Sequence, residues 1–161
     1  MDDLKFLADG MLGKLTRWLR ILGQDVRYSS SSEDEELIRL AKTERRAILT
    51  CDLQLYQQAM TQGLTAFLVE GSKGAEKLAG LARRFDISLE FDSSVSRCPR
   101  CNSRIKPISK EEVMDKIPEA TASYYETFWA CSGCAQVYWQ GSHWKRINKT
   151  LSEAKETLEK S

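Results

Sequence analysis

The sequence lacks three features that would point directly to a class of function: a long hydrophobic run, an excess of one charge, and more than one histidine. No run is long enough to cross a bilayer, and the acidic start Met1-Asp2-Asp3 is unlike a secretory signal, which favours a cytoplasmic protein with no membrane contact. The net charge is +1, so any nucleic-acid surface must come from local patches. Cys51 has no histidine nearby in sequence to activate it, and we expect it to be a small core residue of a buried strand.

Three short apolar runs each end on an acidic residue and lead into a helical pattern. These acids are Asp9, Asp52 and Glu70. Strands that alternate with helices of about ten residues predict an α/β fold, with a parallel sheet flanked by helices. Ligands of such sheets bind outside the carboxyl ends of the strands. If the three strands are parallel neighbours, the three carboxylates converge on one edge of the sheet.

The remaining periodicity predicts where the other elements and the boundaries lie. A capping box at Ser32-Glu33-Asp34-Glu35 predicts a helix that continues to about Arg45. Ile87–Phe91 could add an edge strand, after which the pattern stops near Asp92. We therefore divide the chain into an α/β domain (1–94), a cysteine-containing module (95–149) and a charged terminal helix (150–161), which we expect to be frayed and without chemistry.

Two Cys-x-x-Cys pairs predict a zinc site in the second module. The pairs are Cys98/Cys101 and Cys131/Cys134. Tetrahedral zinc suits four thiolates, and four cysteine ligands leave no position for water, so the metal would be structural. A thioredoxin-like redox motif is the alternative for either pair, but it leaves the other pair unexplained. His143 is then more plausible in a turn or against a substrate than as a substitute zinc ligand.

Basic residues form two local groups that could contact phosphate. Lys14, Arg17 and Arg20 lie on one side of the first predicted helix, either as a solvated face or as a phosphate-contacting stripe beside Asp9. Gly13-Lys14 is not a P-loop, because the required upstream glycine and the following Ser or Thr are missing. The second group interleaves with aromatic residues, which suits base stacking but could also be the core of a small module. It comprises Arg100, Arg104, His143, Lys145 and Arg146.

Several segments together resemble the Mut-seven C-terminal domain family. They are Phe6–Leu15, Trp18–Val26, Ile48–Asp52, Arg97–Asn102 and Val137–His143. Members of this family are similar to PIN-type ribonucleases fused to a zinc ribbon. The resemblance covers the chain to about Lys149 and implies a PIN-like parallel sheet whose acids bind Mg²⁺ or Mn²⁺ and cut RNA.

The resemblance also implies roles for individual acids. Asp9 corresponds to the acid that ends the first strand, Asp34 to the acid at the start of the second helix, and Asp52 to the acid after the third strand. Glu70 stands where a fourth acid is usual, in a looser context. For Asp34, stabilisation of the helix start is the competing explanation. Clustered carboxylates repel one another, so at least one of them should have a raised pKa without metal.

Three hypotheses follow for the function. The first is a metal-dependent endoribonuclease that uses Mg²⁺ or Mn²⁺ at the acids, with the zinc ribbon aiding RNA binding. The second is a non-catalytic RNA-binding or ribosome-associated adaptor, which would bind RNA without turnover. The third is a zinc-stabilised protein-interaction module, which would have no affinity for RNA.

Overall fold

The computed structural model describes residues 3–30 and 33–160. The strands are β1 (Lys5–Ala8), β2 (Asp25–Tyr28), β3 (Ala47–Thr50), β4 (Ala66–Leu68), β5 (Ile105–Ile108), β6 (Phe128–Cys131) and β7 (Val137–Tyr138). The helices are α1 (Gly13–Ile21), α2 (Asp34–Glu44), α3 (Leu53–Thr61), α4 (Gly74–Phe85), α5 (Lys110–Val113), α6 (Glu119–Tyr124) and α7 (Ser142–Glu159). A short 3₁₀ turn, Gly10–Leu12, connects β1 to α1.

A parallel sheet in the order β2-β1-β3-β4 forms the centre of the α/β part. Its strands are buried on both faces, because side chains alternate between two hydrophobic clusters. Phe6 and Leu49 pack against the cluster that contains α1 and α4, whereas Leu7 and Ile48 pack against α2 and α3. The structure thus confirms the predicted α/β fold with a parallel sheet flanked by helices.

The chain adds β2 on one side of β1 and then β3 and β4 on the other side, so the sheet has a topological switch point between β1 and β3. From β1 the chain passes through α1 to β2 on one side, and from β2 it crosses to β3 on the other side. The connections that follow β1 and β3 therefore diverge, since α1 and α3 pack on opposite faces of the sheet. Such a divergence opens a crevice at the carboxyl ends of the two strands, where open α/β sheets bind their ligands.

The second module is an antiparallel sheet in the order β5-β6-β7, and it docks at the other end of the α/β part. Asn102 accepts a hydrogen bond from the backbone N–H of Val26 at 3.1 Å and donates one to Asp25 at 2.7 Å, where β2 begins. Ser96 donates to the carbonyl of Ile21, the last residue of α1, at 2.7 Å. Helix α1 therefore runs from the carboxyl edge of the sheet to the second module.

The last helix differs from its prediction. Helix α7 begins at Ser142 rather than near Thr150, and it packs along α4 with Leu151 and Ala154 buried in the main core. These two residues lie three positions apart and so occupy the same helix face, which covers α4. The predicted frayed tail is therefore wrong for the residues described: the helix completes the hydrophobic layer on one side of the sheet.

Two smaller predictions are also wrong, and one lies outside the described residues. Ile87–Phe91 forms no strand, because Ile87 and Leu89 instead pack into the main core from an irregular segment. Cys51 is exposed, because β3 ends at Thr50, one residue earlier than predicted. Ser32 of the predicted capping box is not described, and α2 begins at Asp34 after Glu33. Within the described ranges, no helix is long and apolar enough to span a membrane.

Candidate active site and metal centre

Asp9 is held at the carboxyl end of β1 by hydrogen bonds to both of its carboxylate oxygens. Oδ1 accepts from the backbone N–H of Met11 at 3.0 Å, which caps the 3₁₀ turn, and Oδ2 accepts from the hydroxyl of Thr50. The backbone N–H of Asp9 donates to the carbonyl of Leu49 in the neighbouring strand at 3.2 Å. Asp9 is only 9% exposed, and because both oxygens are hydrogen-bonded its carboxylate has a fixed orientation.

Thr50 connects Asp9 to Asp52. Its side-chain oxygen also accepts a hydrogen bond from the backbone N–H of Asp52 at 3.0 Å, and the residue is completely buried. Asp52 is exposed, and its Oδ1 caps α3 by accepting from the N–H groups of Gln54 at 2.8 Å and Leu55 at 3.4 Å. The sequence pattern assigned no role to Thr50. The available signal was a hydroxyl residue at the end of a continuous apolar strand, next to an acid.

Asp34 lies close enough to both acids for their charges to act on it. It is the first residue of α2 and is partly buried. Burial raises the pKa of its carboxyl, and the negative charges of Asp52, Asp9 and Glu33 raise it further. The structure thus places Asp34 within electrostatic reach of Asp9 and Asp52, so that three acids from separate chain segments repel one another.

Glu70 belongs to a groove whose walls include none of these three acids. It is exposed beyond β4 and lines this groove with Tyr56, Phe67 and Arg84. The charges that act on Asp34 do not include that of Glu70. Strand β4 pairs with β3 and is the edge strand of the sheet, so Glu70 follows a strand one position further from the divergence between β1 and β3.

The four predicted zinc ligands form a compact set. The sulfur atoms of Cys98, Cys101, Cys131 and Cys134 lie within 4.8 Å of one another. Cys101 and Cys131 are separated by 3.3 Å between sulfurs, and Cys98 and Cys134 by 3.8 Å. A tetrahedron with Zn–S bonds of about 2.3 Å has S–S edges of about 3.8 Å. The four thiols could therefore hold a metal ion such as zinc.

The surroundings of Cys101 favour its thiolate, the form in which a cysteine binds zinc. Hydrogen bonds from the side chain and backbone of Ser103 lower the pKa of Cys101 to about 6. Burial raises the pKa of Cys131, although the N–H groups of Cys134 and Gly133 counteract it. The hydroxyl of Tyr138 lies 2.9 Å from the sulfur of Cys98, and burial followed by this contact raises the pKa of Tyr138. Tyr138 therefore remains neutral beside the sulfur.

Arg20 is a structural residue of this centre, which corrects its predicted contact with RNA. Its guanidinium is buried and donates to the carbonyl of Val26 at 2.7 and 3.0 Å and to that of Pro99 at 3.0 Å. Burial lowers the pKa of Arg20, and the charges of Cys101 and Cys98 oppose that effect. The positive charge thus lies beside the thiols, behind the second module, where nucleic acid has no access.

Lys14 and Arg17, by contrast, are exposed and line a groove that begins beside the acids. The groove has a volume of about 920 Å³, and Gly10 and Met11, which follow Asp9, form one end of it. Its opposite wall carries Lys73 and Lys77 at the start of α4, two cations that the sequence pattern did not single out. We call this the basic groove. Lys77 also lies near enough to Cys51 for its charge to act on that thiol.

The other predicted RNA contacts lie on the second module and the first turns of α7. Arg100 is exposed and donates to Gln136 at 2.6 Å. Arg104, His143, Lys145 and Arg146 are exposed as well. These residues are separated from the acids by the length of α1, so they could contact only a different part of the same ligand.

A comparison with known families decides the assignment of this chain. The model of a family described as Mut7-C RNAse domain matches residues 4–151. The chain belongs to that family. The match to the Mut7-C RNAse domain includes the acids, the four cysteines and most of α7, and it confirms the resemblance seen in the sequence. This domain is thus RNase-like, and its family implies RNA as the substrate. No curated protein and no solved structure matches the chain.

Proposed function

We propose that this Mut7-C RNAse domain is a metal-dependent endoribonuclease that cuts RNA at the crevice between β1 and β3. The observation that carries the proposal is the hydrogen-bonded connection of Asp9 to Asp52 through Thr50. It places two carboxylates at the reversal of strand order, with Asp34 within electrostatic reach. Acids that only cap helices would not need a hydrogen-bonded connection to each other.

The acids suit Mg²⁺ or Mn²⁺ because they offer only oxygen ligands in an open crevice. Mg²⁺ keeps several waters and rests on one or two carboxylates together with substrate phosphate. Asp9 and Asp52 would hold the ion, and Asp34 would complete its surroundings. Bound there, the ion would supply positive charge and Lewis acidity at the phosphate. Thr50 keeps Asp9 oriented, since its hydroxyl donates to one carboxylate oxygen.

The basic groove supports RNA as the ligand. Lys14 and Arg17 on α1 line the groove together with Lys73, which precedes α4, and Lys77 on α4, and all four can neutralise phosphates. The groove reaches Gly10, next to Asp9, so a strand bound in it would pass the acids. The exposed cations of the second module would bind a more distant part of the same strand, which is the role we propose for the zinc ribbon.

The test is RNA cleavage by the zinc-loaded protein with added Mn²⁺ or Mg²⁺. We expect Asp9→Asn to abolish cleavage, because it removes the charge of a buried ligand while keeping its shape. Asp115→Asn is the matched control, since it makes the same chemical change at an exposed position in the second module. It should retain full activity.

Two outcomes would overturn the proposal. Cleavage that persists in Asp9→Asn would identify a contaminating nuclease. Salt-dependent RNA binding without cleavage by the unaltered protein in either metal would leave the non-catalytic adaptor as the function.

A further inference from the structure

A small, largely apolar cavity lies where the second module meets the end of α1 and the start of α7. Its volume is about 120 Å³, and its walls carry Trp129, Tyr138, Trp139, His143 and Trp144. We call it the aromatic pocket. This volume is smaller than the roughly 150 Å³ that encloses one benzene ring, so a base would insert only in part, from the open side of the cavity. We propose that the aromatic pocket binds one unstacked nucleobase of a single-stranded RNA.

The rings of the aromatic pocket border a space as well as a core. Trp129 is buried and Trp139 packs against the cluster of Val113, Phe128 and Val137, yet both also line the cavity. Trp144 contacts the edge of Phe91, with 4.5 Å between the ring centres, and leaves the remaining side of the cavity open. Bases of single-stranded nucleic acid stack on exposed aromatic faces of this kind, whatever their sequence.

An unused hydrogen-bond donor belongs to a residue that lines the same cavity. Arg97 lines the pocket, and its Nε is buried with no hydrogen-bond partner among the residues that the structure describes. Its Nη1 donates to the carbonyl of Asn102 at 2.9 Å, so the guanidinium is held in place. A buried N–H without a partner is costly, and nucleobases present carbonyl oxygens and ring nitrogens that accept such a bond.

The aromatic pocket continues the basic groove along the same two helices. Trp18 of α1 and Thr150 of α7 line the groove, whereas Ile21 and Ile147, one helical turn away on each helix, line the pocket. Helix α1 has 9 residues, which corresponds to about 13 Å. That distance is about four stacked nucleotides at 3.4 Å each. The inference rests on the proposed function: the bound base would lie within about four nucleotides of the phosphate that is cut.

The test measures what one base adds to the binding of a backbone. The protein is the full zinc-loaded chain carrying Asp9→Asn, without other divalent ions, at low salt. The probes are two oligomers of about eight nucleotides, one wholly abasic and one with a single uracil. We expect the lone uracil to tighten binding about tenfold and to quench tryptophan fluorescence, which the abasic oligomer does not.

A substitution then assigns this effect to the pocket. Trp139→Leu should remove the tightening by uracil while leaving the affinity for the abasic oligomer unchanged. Tyr124→Leu is the matched control, because Tyr124 is an aromatic residue of the same module that is 78% exposed and does not line the pocket. Zinc content and thermal melting report whether Trp139→Leu folds. If Trp139→Leu does not fold, the test rests on the protein without that substitution. There, a lone uracil that fails to quench tryptophan fluorescence would overturn the inference.

The outcomes separate this inference from the proposed function. A lone uracil that neither tightens binding nor quenches fluorescence overturns the inference, as does tightening that survives in folded Trp139→Leu. If the protein with Asp9 intact cleaves the oligomer in Mn²⁺, the inference also requires the cut within about four nucleotides of the uracil. Tightening by uracil without any cleavage would support the pocket and refute the nuclease. Absence of binding to either oligomer would refute both.

Discussion

The four thiols and the three carboxylates differ in how the chain supplies them. The thiols come from two tight turns in one module, and their sulfurs already lie within 4.8 Å of one another. The carboxylates come from β1, α2 and the end of β3. In the described part of the chain, the cysteines are the single set of three or more Cys, His or acidic residues this close together.

This difference indicates what each centre is suited for. A closed set of four ligands leaves no position for substrate, so it stabilises a fold. The acids lie farther apart than the thiols, and burial followed by their mutual repulsion raises the pKa of Asp34. An ion at the acids would therefore have room for water and phosphate, as hydrolysis requires. The comparison predicts that removing a thiol damages the fold, whereas altering an acid changes activity and little else.

The largest effect is expected for Cys98→Ser. Structural zinc in small domains contributes about 10–16 kcal/mol to folding, so losing a ligand should unfold the second module and release its metal. Zinc content and the near-ultraviolet circular dichroism of the tryptophans measure this. Cys51→Ser is the control, because the fifth cysteine is exposed and lies outside the cluster. Zinc retained by Cys98→Ser with native melting would contradict the structural assignment.

An intermediate effect is expected for Thr50→Val. The substitution keeps the shape but removes the hydroxyl that bonds Asp9 and the N–H of Asp52, at a cost of about 1–3 kcal/mol. Cleavage should also fall, because Asp9 loses its orientation. Thr16→Val is the control: Thr16 is buried, but its hydroxyl has no hydrogen-bond partner in the described residues. Equal unfolding curves for the two variants would show that Thr50 does not organise the site.

The smallest effect is expected for Asp34→Asn, and it depends on pH. The pKa of Asp34 is raised in the folded protein, so its ionisation becomes a cost as the pH rises above the ordinary value of 3.8. Without divalent metal, Asp34→Asn should be equal to the parent in acid and more stable near neutrality, by less than about 1 kcal/mol because solvent screens the charge. Melting over a pH series measures this.

Added Mn²⁺ sharpens the same test. An ion bound by the acids would cancel the repulsion and stabilise the parent protein more than Asp34→Asn. Asp115→Asn should show neither the pH dependence nor the difference in Mn²⁺. If Mn²⁺ shifts the melting of both Asp34→Asn and the parent equally, Asp34 takes no part in holding the ion.

Local patterns were sufficient for the sheet and for the candidate ligands. A parallel strand buried on both faces is a continuous apolar run, so the acids that end such runs could be predicted to share an edge. The cysteine pairs were visible from spacing alone. For the same reason Glu70 was predicted with the others: it too follows a short apolar run, although in a looser context. The strands β1, β3 and β4 are indeed neighbours, but the side chain of Glu70 lines a groove formed with residues of α3 and α4.

Local sequence patterns did not predict the features that depend on tertiary contacts. Arg20 and Arg17 lie three positions apart and so share a face of α1, yet Arg20 is buried because the second module packs over the end of that helix. The sequence pattern did not predict where α7 begins or that it docks on α4. The reason is that the residues around Leu151 and Ala154 are mostly polar. Lys73 and Lys77 became notable only when the fold placed them opposite Lys14 and Arg17.

The position of α7 has a consequence for how the protein is made. Leu151 and Ala154 belong to the same core as Phe6, although almost the entire described chain lies between them. During translation, the α/β part therefore emerges with one side of α4 uncovered. That side stays uncovered until residue 154 has also left the ribosome. A nascent chain that stalls before that point would expose this apolar surface to chaperones and to aggregation.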